Sequence, residues 1–196
     1  MKELAELCTE ENGKTYSESV AEIEKSIELT EFATSLPQLI TGEILEVSRG
    51  VECRTEHVPL GVVASIVPFN FPAMVPNWTI PNALAVGNCM IIKPSEKVPL
   101  SCGKIALLLQ EAGLPDGVIN LIYVDGPTIG RICFNHRDFA GVHFTGSTGV
   151  FNNMWKTIGE NMANYKSYPR IVGETGGKDF VMIHKSADPG VAAPPL

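Results

Sequence analysis

Four short clusters in this chain of 196 residues carry the side chains best placed to do chemistry. The longest is Gly141-Val142-His143-Phe144-Thr145-Gly146-Ser147-Thr148-Gly149, an apolar run that ends in a Gly/Ser/Thr turn ahead of a helix-like segment. Such a turn aims free backbone N–H groups and the positive end of a helix dipole at any anion lodged there. Gly146 and Gly149 let the main chain come close, and Ser147 and Thr148 add hydroxyl donors. The spacing is not G-x-G-x-x-G, and taken alone Ser147 or Thr148 reads as a helix N-cap.

The second cluster is Pro68-Phe69-Asn70-Phe71-Pro72. Two prolines stiffen the loop, and Asn70 offers a neutral amide donor suited either to an oxyanion or to capping the next helix. In the third, Lys93-Pro94-Ser95-Glu96, the acid follows a strand closely enough to accept hydrogen bonds from two ribose hydroxyls and to repel a 2′-phosphate. Its plainer reading is a solvated Lys/Glu loop. The fourth, Gly173-Glu174-Thr175-Gly176-Gly177-Lys178, sets one carboxylate before a Gly-Gly turn. That is the place for a general base acting on water, or for an exposed turn residue.

These clusters are useful only if strands and helices bring them to one place, and the hydrophobic pattern supplies both. Leu4, Leu7 and Cys8 mark a first helix, broken at Glu11-Asn12-Gly13-Lys14; Val20, Ile23, Ile27 and Phe32 mark a second. The residues opposite are acidic, as on a solvated face. A strand or ribbon is expected over 40–51. From Gly61 the pattern alternates: strands over 62–67, 89–92, 118–124 and 141–144, with helices over 72–86, 98–112, 127–134 and 151–163 between and after them. Pro76 and Pro81 are expected to distort the helix over 72–86. Two further strands are expected at 171–172 and 180–183. This alternation predicts an α/β fold, a Rossmann-like parallel sheet with helices on both faces and ligands at the strand C-termini. The chain divides into N-terminal helices and ribbon (1–58), an α/β core (59–189) and a loose tail (190–196).

Composition narrows the partners. A net charge of −7 with no basic block argues against nucleic acid or an anionic membrane surface. No apolar run is long enough to span a bilayer, and Met1-Lys2-Glu3-Leu4-Ala5-Glu6 reads as a charged amphipathic helix rather than a signal peptide. The five cysteines and four histidines are scattered without metal-ligand spacing, so no metal is expected. The cysteines read as buried free thiols in a reducing, intracellular compartment: cytoplasm, or mitochondrial matrix if a targeting segment precedes the chain.

The order of the clusters, together with Glu11-Asn12-Gly13-Lys14, Ala83-Leu84-Ala85-Val86-Gly87-Asn88 and Glu111-Ala112-Gly113-Leu114-Pro115, resembles the aldehyde dehydrogenase superfamily, specifically its cofactor-binding domain. The resemblance runs from about Leu4 to Asp188. Up to about Val124 the wording is closest to methylmalonate-semialdehyde-type enzymes. Phe151-Asn152-Asn153-Met154-Trp155-Lys156 and the segment 168–180 look like 1-pyrroline-5-carboxylate (glutamate semialdehyde) dehydrogenases of proline breakdown. The resemblance implies NAD as cofactor and oxidation of an aldehyde to an acid through a thiolate adduct. It assigns Asn70 to the oxyanion and Glu174 to the hydrolytic water. It also assigns Lys93, Ser95 and Glu96 to the adenosine ribose, Gly126, Gly146 and Ser147 to the rest of the dinucleotide, and Pro68 and Phe69 to the nicotinamide side. The family's nucleophilic Cys lies in a Gly-Gln-x-Cys context a few dozen residues beyond the Glu, outside these residues, and Cys133 reads as core. The isolated chain is therefore expected not to turn over aldehyde. Apolar surface normally covered by a catalytic domain is expected to favour self-association.

Overall fold

The computed structural model describes residues 1–177 and 182–188. The chain opens with helices α1 (Lys2–Asn12), α2 (Tyr16–Ala33) and the short α3 (Leu36–Leu39). Thr15 and Glu18 form a reciprocal capping box that starts α2, and Gly13, in the left-handed conformation at φ 82°, closes α1. An antiparallel ribbon follows, β1 (Glu43–Ser48) and β2 (Val51–Thr55), exposed along its whole length.

The core then alternates: β3 (Val62–Ile66), α4 (Met74–Ala85), β4 (Cys89–Lys93), α5 (Pro99–Glu111), β5 (Ile119–Leu121), α6 (Gly126–Cys133), β6 (Phe139–Gly146), α7 (Thr148–Glu160) and β7 (Arg170–Thr175). The five strands form one sheet in the order β5-β4-β3-β6-β7, every neighbouring pair parallel. The strand alternation sorts side chains between two cores. Met90 and Ile92 of β4 meet Leu4, Cys8, Ile23, Ile80 and Ile105 beneath α1, α2, α4 and α5. Ala64 and Ile66 of β3 join Val142 and Phe144 of β6 beneath α6 and α7. The expected α/β architecture, with helices on both faces, is what the chain adopts.

Boundaries shift for identifiable reasons. β6 is longer than the apolar run 141–144 because pairing with β3 and β7 carries it from Phe139 to Gly146. β5 is shorter than 118–124 because its register with β4 runs only from Ile119 to Leu121, with one hydrogen bond beyond each end, from the Met90 N–H to the Val118 carbonyl and from the Ile122 N–H to the Ile92 carbonyl. α7 starts at Thr148, three residues ahead of the expected start, because Ser147 caps it. Pro76 falls in the first turn of α4, where its missing N–H has no intrahelical acceptor to lose, whereas Pro81 does sit inside the helix. Residues 180 and 181 of the expected last strand and the whole of 190–196 lie outside the described residues; Met182 and Ile183 are not in a strand.

Two expectations need correction. Cys8, Cys102 and Cys133 are buried, but Cys53 and Cys89 are exposed, one on the projecting ribbon and the other at the first position of β4. The acidic side of α1 and α2 is not wholly solvated either. Glu22 is buried, and Glu11 accepts hydrogen bonds from the Leu100 and Ser101 N–H groups and the Ser101 hydroxyl at the start of α5. Among the described residues no helix is long and apolar enough to cross a membrane.

One titrating group lies between sheet and helix. His143 Nδ1 is 3.2 Å from Thr79 Oγ1 and 3.4 Å from Ser65 Oγ, and its ring meets Trp78 edge-on. Burial holds its pKa below the usual 6.5. The folded chain thus binds this proton less readily than the unfolded chain. Its stability is complete above about pH 6.5 and declines as the pH falls through the folded pKa. Urea midpoints measured from pH 7 to pH 5 are expected to fall, and the slope over that window to flatten in His143→Gln. Equal slopes in both proteins would show that His143 is not its source.

Candidate cofactor and active site

The strand order places a crossover change at β3: the chain leaves it toward β4 on one side and returns to β6 on the other. In such sheets the crevice outside the strand C-termini at that point is where ligands bind. A groove of about 860 Å³ lies there. Its wall takes Pro68 and Phe69 from the end of β3, Lys93, Ser95 and Glu96 from the end of β4, and Gly126 and Gly146 from the ends of α6 and β6. Seven of the eight residues expected to touch cofactor therefore line one groove. Ser147 sits between the lining residues Gly146 and Gly149 as the N-cap of α7, its hydroxyl accepting from the Val150 N–H at 3.4 Å. Capping and the anion-facing position coincide in this residue.

Two helix starts border the groove. α6 begins at Gly126 behind its cap Asp125, whose carboxylate accepts the Thr128 N–H at 2.7 Å; α7 begins behind Ser147. Their positive ends suit a diphosphate. A Cβ built at Gly126 or Gly149 meets no protein atom within 4 Å, so glycine keeps open space at both lining positions. Thr145, also on the wall, has a buried hydroxyl with no hydrogen-bond partner among the described residues. A buried orphan hydroxyl beside an open groove fits a site shaped for a polar ligand.

Beside them lies the ribose candidate. Lys93 is almost fully buried and its Nζ lies 3.1 Å from Glu96 Oε2, while Glu96 itself is exposed. The backbone N–H of Glu96 and the Lys93 ammonium hold the Glu96 carboxyl below the usual carboxylate range. It therefore stays an acceptor-only anion at neutral pH.

The two residues expected to do chemistry stand outside the groove wall. Asn70, next to the lining residue Phe69, is exposed and faces a second recess shared with Lys14, Glu22 and Met74. It does not cap α4, whose N-cap is Ala73, and its side-chain amide has no hydrogen-bond partner among the described residues. Glu174 lies on β7 rather than in the turn after it, opposite Thr145 in the strand register and one strand beyond the groove. Its exposed carboxylate is also unpartnered among the described residues. The structure thus gathers the cofactor candidates and leaves Asn70 and Glu174 on the flanks of the same sheet edge. Sequence reasoning missed Thr145, though it stands inside a quoted motif, and Arg131, which brings a cation from α6 to the groove.

None of the five cysteines lines the groove. Burial pushes the Cys102 thiol up to about 12 and raises those of Cys8 and Cys133, which suits core packing rather than attack on a carbonyl. Among the described residues no group of three or more His, Cys, Asp or Glu could hold a metal ion.

Comparison with known proteins shows the family. Residues 1–194 match the aldehyde dehydrogenase family. The chain is 43% identical over 186 residues to malonate-semialdehyde dehydrogenase 2 of Bacillus mycoides, covering 94% of this chain and 37% of that protein. It is 43% identical over 175 residues to a probable delta-1-pyrroline-5-carboxylate dehydrogenase of Schizosaccharomyces pombe, covering 86% and 32%. Among solved structures, one from Sinorhizobium meliloti, assigned as a methylmalonate-semialdehyde dehydrogenase and crystallised with NAD, superposes with TM-score 0.83 at 35% identity over 91% of this chain and 35% of its own. The chain thus spans little more than a third of the length of the proteins it matches, and over that span it belongs to the aldehyde dehydrogenase family.

Proposed function

We propose that this chain forms the NAD-binding part of a semialdehyde dehydrogenase. The observation that carries this reading is the single groove lined by Pro68, Phe69, Lys93, Ser95, Glu96 and Gly146 at the crossover point of a parallel sheet. Thr145 and the starts of α6 and α7 add the polar contacts a dinucleotide needs. When bound, NAD⁺ supplies the hydride acceptor. The chain's own residues then divide the work. Glu96 and Lys93 hold the adenosine ribose, Ser147 and the main chain at Gly146 meet the pyrophosphate, and Pro68 and Phe69 flank the nicotinamide. Asn70 donates its amide N–H to the aldehyde oxygen as charge develops there, and Glu174 takes the proton of the hydrolytic water.

For substrate, the stretches 151–156 and 168–180 favour glutamate semialdehyde in proline breakdown. The 43% identity to a malonate-semialdehyde dehydrogenase supports that smaller substrate as the second reading. The isolated chain binds cofactor without turning over aldehyde, because no thiol stands in its groove. Self-association is expected through exposed apolar side chains such as Trp155 and Val172, in an intracellular setting.

Calorimetric titration with NAD⁺ tests the reading directly. Saturable binding is expected, with NADP⁺ weaker because the Glu96 carboxylate repels a 2′-phosphate. NAD⁺ at 100 times its dissociation constant is expected to add about 2.7 kcal/mol to stability. Absence of both heat and stabilisation at millimolar NAD⁺ would falsify it.

A further inference from the structure

The peptide planes on either side of Asn70 are both held from outside their loop. Asn12 Nδ2 donates to the Phe69 carbonyl and Lys14 Nζ donates to the Asn70 carbonyl, each at 2.7 Å. The first bond fixes the plane entering Asn70 and the second the plane leaving it. A residue has two soft backbone torsions, so fixing both planes fixes the direction of its Cα–Cβ bond. The two donors flank Gly13, whose φ of 82° makes the turn between α1 and α2.

The hold on the loop continues past Asn70. Lys14 Nζ also lies 2.6 Å from Glu22 Oε2 and 4.2 Å from the centre of the Phe71 ring. Glu22 Oε1 accepts the N–H groups of Ala73 and Met74 at 2.7 and 2.9 Å. Lys14 is 10% exposed and the Glu22 side chain fully buried, so this pair is shielded from solvent exchange and screening. The loop therefore lies between the groove on one side and a connected network from the first two helices on the other.

We infer that Asn12 and Lys14 are positioning residues for the Asn70 amide. They set the backbone of the loop so that the amide stands unpartnered at the sheet edge, free to donate to a developing oxyanion. This rests on the reading of Asn70 as that donor. Pre-set donors stabilise charge without reorganising at the moment of reaction, and that advantage is lost if the loop samples other conformers.

Nitrogen-15 NMR of the folded chain tests it, with the Asn70 backbone and side-chain signals identified by their loss in Asn70→Ala. One set of signals is expected for the unaltered chain. In Asn12→Ala and Lys14→Met a second set or broadening is expected, the ratio of loop conformers shifting about 2- to 10-fold for one lost hydrogen bond. Lys14→Arg keeps the charge and the donors, and is expected to restore a single set. Lys14→Met leaves Glu22 without its cation and is the variant at risk of unfolding. Asn12→Ala removes an exposed bond and keeps the test decisive. A single, unshifted Asn70 set in folded Asn12→Ala overturns the inference. Titrating the same samples with NAD⁺ separates the two readings. Splitting without NAD⁺ binding removes the cofactor assignment and keeps the positioning one, whereas NAD⁺ binding with unmoved Asn70 signals removes the positioning one alone.

Discussion

Glu22→Ala is expected to destabilise the chain by about 3–5 kcal/mol, the cost of removing one partner from a buried ion pair. The Glu22 side chain is fully buried, and its two oxygens accept three donors: Lys14 Nζ, Ala73 N–H and Met74 N–H. Deleting the carboxylate leaves a nearly buried ammonium without its anion and two helix-start N–H groups without an acceptor. Glu22→Gln keeps one acceptor oxygen and is expected to lose less. The check is urea unfolding at pH 7: the midpoint falls sharply in Glu22→Ala, with Glu22→Gln between. A midpoint within experimental error of the parent would mean that water or a rearranged Lys14 replaces the contact. A marginally stable fold has little reserve, so Glu22→Ala is best expressed at low temperature.

The second large effect falls on ligand affinity. Glu96→Ala is expected to weaken NAD⁺ by about 10- to 100-fold, since hydrogen bonds to a charged group contribute about 1.5–3 kcal/mol. Glu96 is itself exposed, but its loss leaves the nearly buried Lys93 ammonium without its partner, so unfolding without ligand is expected at a somewhat lower temperature. The freed ammonium is then expected to favour NADP⁺ over NAD⁺ relative to the parent. Calorimetry with both dinucleotides on parent and variant reads the two effects. Unchanged NAD⁺ affinity in Glu96→Ala would remove Glu96 from the ribose and place the adenosine elsewhere.

Much of this was legible in the residue order. The apolar run at 62–67 has the pattern of a strand covered on both faces, and the strands and helices alternating after it imply a parallel sheet with helices on both sides. Once the sheet is parallel, the clusters that follow its strands must share an edge, so Lys93, Glu96 and Gly146 come together without any knowledge of distances. What the pattern could not carry was pairing across long separations. Glu22 and Glu11 look like ordinary solvated acids on amphipathic helices; only the arrival of α4 and α5 turns them into acceptors for foreign helix starts. Thr145 was likewise hidden, because a threonine in a strand is unremarkable until its hydroxyl is found buried and, among the described residues, unpaired. Cys53 and Cys89 were misplaced for a related reason: cysteine is usually buried, and nothing local marks the exposed ribbon that carries Cys53 or the exposed first position of β4 that carries Cys89.

The contacts of Glu22 and Glu11 also bear on how the chain is made. They span 51 residues to Ala73 and 90 residues to Ser101. With synthesis at about 5–20 residues per second, Glu11 is made roughly 5–18 seconds before Ser101. During that interval Leu4, Cys8 and Ile23 lack the Met90, Ile92 and Cys102 side chains that complete their core, so the first helices reach their final packing only when the sheet and α5 arrive.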